Sequence, residues 1–194
     1  MSSGDSATSL VHEARELAAG RHSGQRRKAT GMPYFDHAEQ VAGLLSDSGF
    51  DDEVVAAALL HDVVEHGGVE PADIRSRFGE RVLGMVEAMT DRDEIEDWSE
   101  RKDEHRGRVA AAGRDACAIY GADKLCGIRE AQAGFAAHGP GVEDRLGNPL
   151  DLRLAVWADD LEMLEGLQPP LPFRDELEWA IATLAEETAT APRP

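Results

Sequence analysis

Along most of the chain, apolar residues recur at spacings of three and four, the rhythm of helices with one buried face. Thr8 to Arg21 carries Leu10, Val11, Ala14, Leu17 and Ala18 in this way, and Tyr34 to Ser46 carries Val41, Leu44 and Leu45. The stretch Ala56-Ala57-Ala58-Leu59-Leu60-His61-Asp62-Val63-Val64-Glu65-His66 is different. Small and aliphatic side chains cover nearly every face of a helix there, the pattern of a buried central helix. Asp51 and Asp52 supply a cap and favourable charge at its start, and Gly67-Gly68 ends it. On such a helix Glu65 lies one turn beyond His61, on the same face.

Further elements follow in order. Pro71 suits the first turn of a short helix to about Phe78, and a second helix spans about Glu80 to Met89. Asp91 to Arg108 is dense in both charge signs and reads as an exposed loop and a solvated helix, whose basic residues could lean over a pocket. Val109 to Ala133 reads as one helix with an apolar centre from Ala116 to Tyr120, and Phe135 to Pro149, rich in glycine and proline, as a loop. Helices over about Leu150 to Leu167 and Phe173 to Glu187 flank the breaker Gln168-Pro169-Pro170-Leu171-Pro172. No convincing strand or internal repeat is present. The expectation is an all-α bundle of about eight or nine helices, one domain over residues 8–188 with flexible ends at 1–7 and 189–194.

Composition narrows the function. A net charge of −18 argues against nucleic-acid binding, which needs a basic surface. No apolar run reaches the ~18–20 residues of a membrane span, and the first twenty residues lack a signal-peptide core, so a cytoplasmic setting is expected. Cys117 and Cys126, the only cysteines, fall on opposite faces of one helix and read as reduced packing residues. Against the acidic background the basic run from Arg21 to Lys28 stands out as a solvated helix end or a surface for a phosphorylated ligand.

His37, His61, Asp62 and Asp123 lie in or beside apolar helical stretches. An imidazole and a carboxylate are costly to bury alone, and a shared divalent cation compensates them directly. Two imidazoles and two carboxylates suit Mn²⁺, Fe²⁺ or Zn²⁺. Such a site can activate water and polarise a phosphoryl oxygen. Tyr34, Trp98, Trp157 and Trp179 could stack on a base, but aromatics at helical spacing read first as core, with Tyr34 a scaffold residue.

The doublet His61-Asp62 resembles the one that names the HD phosphohydrolase superfamily. More narrowly, His22-Ser-Gly-Gln25-Arg-Arg27-Lys28-Ala-Thr-Gly-Met-Pro33-Tyr34-Phe-Asp-His37 resembles the opening motif of the RelA/SpoT-type alarmone hydrolases. Ala57 to Glu65 matches their central motif, Phe78-Gly79 with Val82 and Thr90 follows it, and Ala122-Asp123-Lys124-Leu125 matches the last. The likeness runs from about Leu10 to Ala131, and the expectation is a small stand-alone hydrolase without a following synthetase or regulatory domain.

The resemblance implies a Mn²⁺ ion held by His37, His61, Asp62 and Asp123. It also implies hydrolysis of the 3′-pyrophosphate of ppGpp or pppGpp to GDP or GTP and pyrophosphate. Arg27, Lys28 and Lys124 would meet the substrate, and Glu65 with His66 would handle water and its proton. Two positions depart from the family pattern. His66 stands where a second acidic residue is usual, and Gly127 where an asparagine usually lines the nucleotide pocket. They motivate a second reading, the same chemistry on another nucleotide; a third is a sensor that binds without turnover. The oligomeric state is not legible.

Overall fold

The chain winds through α1 (Ser3–Arg21), α2 (Tyr34–Asp47), α3 (Asp52–Leu60), α4 (Pro71–Met89), α5 (Trp98–Ala112), α6 (Arg114–His138), α7 (Val142–Leu146), α8 (Leu150–Glu165) and α9 (Arg174–Thr190). A short 3-10 turn, Gly139–Gly141, joins α6 to α7. This computed structural model describes residues 3–92 and 94–190; residues 1, 2 and 191–194, within the expected flexible ends, lie outside the described residues. Among the described residues, extended pairing amounts to one isolated bridge between Arg26 and Pro33. The architecture is all-α, as the sequence pattern predicts. No described helix is long and apolar enough to cross a membrane.

α3 lies at the centre because it has no polar face to turn outward. Every residue from Val54 to Leu60 is buried, and α1, α2, α4 and α6 pack around it. Asp51 starts it, its Oδ1 accepting the backbone N–H groups of Glu53 and Val54 at 3.1 Å each. These bonds satisfy donors that a helix N-terminus leaves free. Alanines at 56, 57 and 58 leave room for neighbouring backbones to approach closely.

Three elements differ from the sequence expectation, each for a local reason. The central helix stops at Leu60 instead of running to His66, and residues 61–67 form successive turns. His61 Nδ1 donates to Ala58 O at 2.7 Å, the carbonyl that a continuing helix assigns to the Asp62 N–H. The predicted helix from Val109 to Ala133 is two helices, broken at Gly113, where φ is 97°. The predicted loop from Phe135 to Pro149 is largely ordered: α6 runs on to His138 and α7 follows, anchored by fully buried Val142. Gly79, with φ 89°, divides α4 at the expected junction of two helical segments. Cys117 and Cys126 are buried and free on α6.

Gly67 closes the turns that follow His61. A Cβ there would stand 2.7 Å from Val63 O and 3.0 Å from Val63 Cα, both backbone atoms that cannot step aside. Gly67→Ala is therefore expected to destabilise the protein by about 1–3 kcal/mol, read as a lowered midpoint in thermal or urea unfolding. An unchanged midpoint would show that the turn relaxes freely.

Candidate functional site

The break at Leu60 lets the polar residues after α3 point toward α2 and α6. His37 comes from the first turn of α2, His61 and Asp62 from the end of α3, and Asp123 from the middle of α6. His37 and His61 are almost wholly buried, while Asp62 and Asp123 are slightly open. His37 Nε2 lies 3.0 Å from Asp123 Oδ1, and His61 Nε2 lies 3.2 Å from Asp62 Oδ2 and 3.8 Å from Asp123 Oδ1. Donor atoms of His37, His61 and Asp123 all fall within 4.8 Å of one another. The structure thus brings the four sequence-selected residues together.

These residues fit a divalent cation on grounds internal to the structure. Ala58 O can only accept, so His61 Nδ1 carries the proton and Nε2 is left facing the carboxylates. That Nε2 is buried and has no hydrogen-bond partner among the described residues. Its separations from the carboxylates are edge lengths expected when donors share a centre at about 2.0–2.2 Å. Burial opposes charge on His61, but Asp62 and Asp123 outweigh it and push the imidazole up to about 9. Burial likewise works against the two carboxylates. The His61 charge nonetheless holds Asp62 well below the usual range, and Lys124 with His37 does the same for Asp123. Each group is charged because its neighbours are, the condition under which a cation can replace a proton.

Outside this cluster the structure adds supports. Tyr34 OH donates to Asp62 Oδ2 at 2.7 Å, so Tyr34 orients the aspartate directly. Lys124 Nζ donates to Asp123 Oδ2 at 2.9 Å and lies 4.2 Å above the Tyr120 ring. Glu65 Oε2 accepts the Asp91 N–H at 3.0 Å, while Oε1 faces His66 Nε2 at 3.1 Å. Because α3 ends early, Glu65 does not share a helix face with His61; it groups instead with Asp62 and His66.

The cluster opens into a cleft of about 870 Å³. Arg26, Arg27, Lys28, Arg101, Lys102, Lys124 and Arg153 line it, a basic concentration in a strongly acidic chain. Several are already paired. Arg27 NH2 meets Glu130 Oε2 at 2.6 Å, and Lys102 bonds Asp91, whose other oxygen lies 2.7 Å from His105 Nδ1. Arg153, like Arg26 and Lys28, meets no carboxylate among the described residues, and of the three it has the buried unpartnered nitrogen. It gives NH2 to Leu146 O at 2.7 Å and lies 5.3 Å from the Trp98 ring, while its buried Nε has no partner among the described residues. Burial, and then the charge of Arg27, lower its pKa, so this cation is under-compensated.

Comparison with known proteins places the chain. The HD domain family profile matches residues 14–139. The chain belongs to the HD-domain family. A guanosine-3′,5′-bis(diphosphate) 3′-pyrophosphohydrolase of Aquifex aeolicus is 39% identical over 105 residues, 54% of this chain and 15% of that protein. Guanosine-3′,5′-bis(diphosphate) 3′-pyrophosphohydrolase MESH1 of Danio rerio is 35% identical over 128 residues, 64% of this chain and 71% of that protein. A solved structure described as a metazoan ortholog of SpoT that hydrolyzes ppGpp matches with a TM-score of 0.75 and 30% identity. That match covers 90% of this chain and 95% of the other. The matches to the first curated relatives span only 10% to 16% of those proteins' lengths.

In this HD domain the cleft wall contains residues that pattern reasoning missed. Trp98, expected as core, is half-buried and lines the cleft; Trp157 belongs to the core as expected while also bordering the cleft, and Trp179 is exposed. Arg101 and Lys102 lean over the cleft from the charged stretch, the alternative its basic residues left open, whereas Arg153 lies beyond the motifs altogether. The only sequence signal for Arg153 and Trp157 was their spacing of four on α8, which places them on one face. The departing position Gly127 also lines the cleft, one turn beyond Asp123, and a Cβ built there meets nothing within 4 Å.

An under-compensated arginine beside tryptophans gives a direct test. Pyrophosphate is expected to alter tryptophan fluorescence in a saturable, salt-sensitive way. Arg153→Met should weaken that binding about tenfold, the scale of one lost charge-assisted contact. Equal affinity in the variant would remove Arg153 from the anion site.

Proposed function

We propose that this HD domain is a Mn²⁺-dependent (p)ppGpp 3′-pyrophosphohydrolase, releasing pyrophosphate and leaving GDP or GTP. The observation that carries this reading is the convergence of His37, His61, Asp62 and Asp123, of which Asp123 lines a cleft rich in arginine and lysine. The names carried by the MESH1 relatives and by the matching solved structure support the same substrate.

His37, His61, Asp62 and Asp123 would hold one divalent ion, with Fe²⁺ or Zn²⁺ as chemically acceptable substitutes. When bound, such an ion supplies Lewis acidity toward a phosphoryl oxygen and lowers the pKa of water. The chain's own side chains do the rest. Ala58 O and Tyr34 OH fix the orientation of His61 and Asp62. Glu65, anchored through Oε2, offers Oε1 to position a water and accept its proton, with His66 Nε2 close enough to share it. Burial, and the nearby charges of Asp62 and Asp91, raise the Glu65 pKa despite the opposing Asp91 N–H and His66, which suits a proton acceptor.

Lys28, Lys124 and Arg153 would receive the phosphate oxygens, with Arg27 held in place by Glu130 at the same wall. Preorganised donors of this kind are worth about 2.7–4 kcal/mol each when they meet developing charge. Trp98 and Trp157 offer ring faces for a base. One observation favours a second reading, the same chemistry on another nucleotide. Gly127 leaves empty the space where an amide side chain would select a base.

Two experiments test the assignment. Asp62→Ala is expected to lower Mn²⁺-dependent turnover by more than about a hundredfold, together with loss of bound metal; metal-dependent activity retained in that variant defeats it. A Mn²⁺-supplied panel of phosphorylated nucleotides, with products resolved by ion exchange and a chelator control, should rank ppGpp first. A different nucleotide leading by a wide margin would transfer the assignment to the second reading. In that panel Gly127→Asn should fold normally and shift the ranking further toward guanosine.

A further inference from the structure

Five carboxylates line the otherwise basic cleft: Glu65, Asp91, Asp123, Glu130 and Asp160. Four are engaged by the protein itself. Glu65 meets the Asp91 N–H and His66, Asp91 meets Lys102 and His105, Asp123 meets His37 and Lys124, and Glu130 meets Arg27 and Thr30. Asp160, on α8, is different. It is 1% exposed, and its Oδ2 is buried without a hydrogen-bond partner among the described residues.

The other oxygen of Asp160 is fully used. Its Oδ1 accepts Tyr120 OH at 2.8 Å and Arg106 Nε at 2.9 Å. Tyr120 lies on α6 and Arg106 on α5, so three helices fix the carboxylate. The cations nearby are turned elsewhere. Arg106 gives NH1 to Asp103 at 2.5 Å, and Lys124, above the Tyr120 ring, gives Nζ to Asp123 Oδ2 at 2.9 Å. An acceptor left unmatched inside a protein costs about 1–3 kcal/mol. Here that cost is held on the wall of a cleft, where a bound molecule can bring the missing donor.

A carboxylate oxygen accepts and a phosphate presents only oxygens, so Asp160 suits the part of a nucleotide that carries N–H groups. Trp157 stands three residues earlier on α8, on the same side of the helix, and borders the same cleft. A ring face beside an acceptor matches a nucleobase, which stacks through its face and donates through its edge. An acceptor recessed in the wall is reached best by a group that projects from the base. We propose that Asp160 Oδ2 accepts an N–H of the exocyclic amino group of a bound purine, the 2-amino group of guanine under the proposed function. This rests on the nucleotide reading above and deepens it. Gly127 has no side chain with which to select a base, and Asp160 supplies the selection from the facing helix α8.

The test is calorimetric titration of the full chain with GDP, ADP and IDP, which share the ribose and diphosphate; the base of IDP lacks an amino group. GDP is expected to bind at least about tenfold more tightly than IDP, the scale of one hydrogen bond to a charged group. In Asp160→Asn, Tyr120 OH and Arg106 Nε would hold the amide oxygen, so its NH₂ would turn to the cleft and meet the purine amino group donor to donor. GDP should then fall to the affinity of IDP, while IDP binding and the circular dichroism are kept. Asp160→Ser, which leaves space instead of strain, is measured alongside and should also bring GDP to the level of IDP. A GDP preference that survives in both variants overturns the assignment of Asp160. Equal affinity of all three nucleotides for the wild type, or no binding by any, overturns the amino-group site, and ppGpp hydrolysis measured separately then shows whether the proposed function stands. ADP leading in an Asp160-dependent way supports the site and overturns the guanosine substrate instead.

Discussion

The burial of ionisable donors at the end of an apolar helix is the constraint on which the rest of this structure depends. α3 has no polar face, so the residues that follow it enter the interior with it, and His61 is left 2% exposed. An isolated charge in that setting would be neutralised or expelled. Here the neighbours answer it: Asp62 and Asp123 face the imidazole, Lys124 faces Asp123, Tyr34 OH faces Asp62, and Ala58 O takes the Nδ1 proton. The last of these bonds also ends the helix. The same contact that fixes the histidine therefore opens the turn from which Asp62, Glu65 and His66 reach the cleft.

Close packing is what makes the convergence possible. His37, His61 and Asp123 come from three helices, and their donors meet because α2, α3 and α6 pack directly on one another. Small residues, Ala56 to Ala58 on α3 and Ala118, Gly121 and Ala122 on α6, are all buried. At Gly121 a Cβ would stand 3.1 Å from side-chain atoms of Leu164 and Leu171, which shows how tightly the C-terminal half closes on α6. The residues that shape the centre without touching it are the apolar ones that set these helix separations.

Legibility in the sequence follows the same physics. His37, His61, Asp62 and Asp123 could be picked out because a polar residue inside an apolar pattern is conspicuous, and the structure gathers them. Arg153 could not, because on α8 it occupies a place where an arginine is ordinarily solvated, and its burial depends on Trp98 and Leu146 from other parts of the chain. Trp98 satisfied a core pattern equally well as cleft wall, whereas Trp157 is core with one edge on the cleft. The early end of α3 was hidden for another reason. Periodicity counts apolar positions, whereas the break comes from one ring nitrogen competing for a backbone carbonyl. Gly113 divides a region whose composition remains helical on both sides, so only its positive φ marks the boundary.

The cleft face of α6 separates chemistry from selectivity. Asp123, Gly127 and Glu130 follow at steps of four and three, so they line one stripe of the same helix. Asp123 belongs to the donor cluster, and Glu130 fixes Arg27 at the far end of the stripe. Gly127 lies between them with open space before it. A side chain gained or lost there changes what the cleft can recognise, without displacing a donor or the arginine pair. His66 occupies the opposite situation: its Nε2 sits 3.1 Å from Glu65 and its ring against Tyr34, so a change there reaches the donors directly. Under the proposed function, Gly127 would therefore bear on which nucleotide fits, and His66 on how the centre itself works.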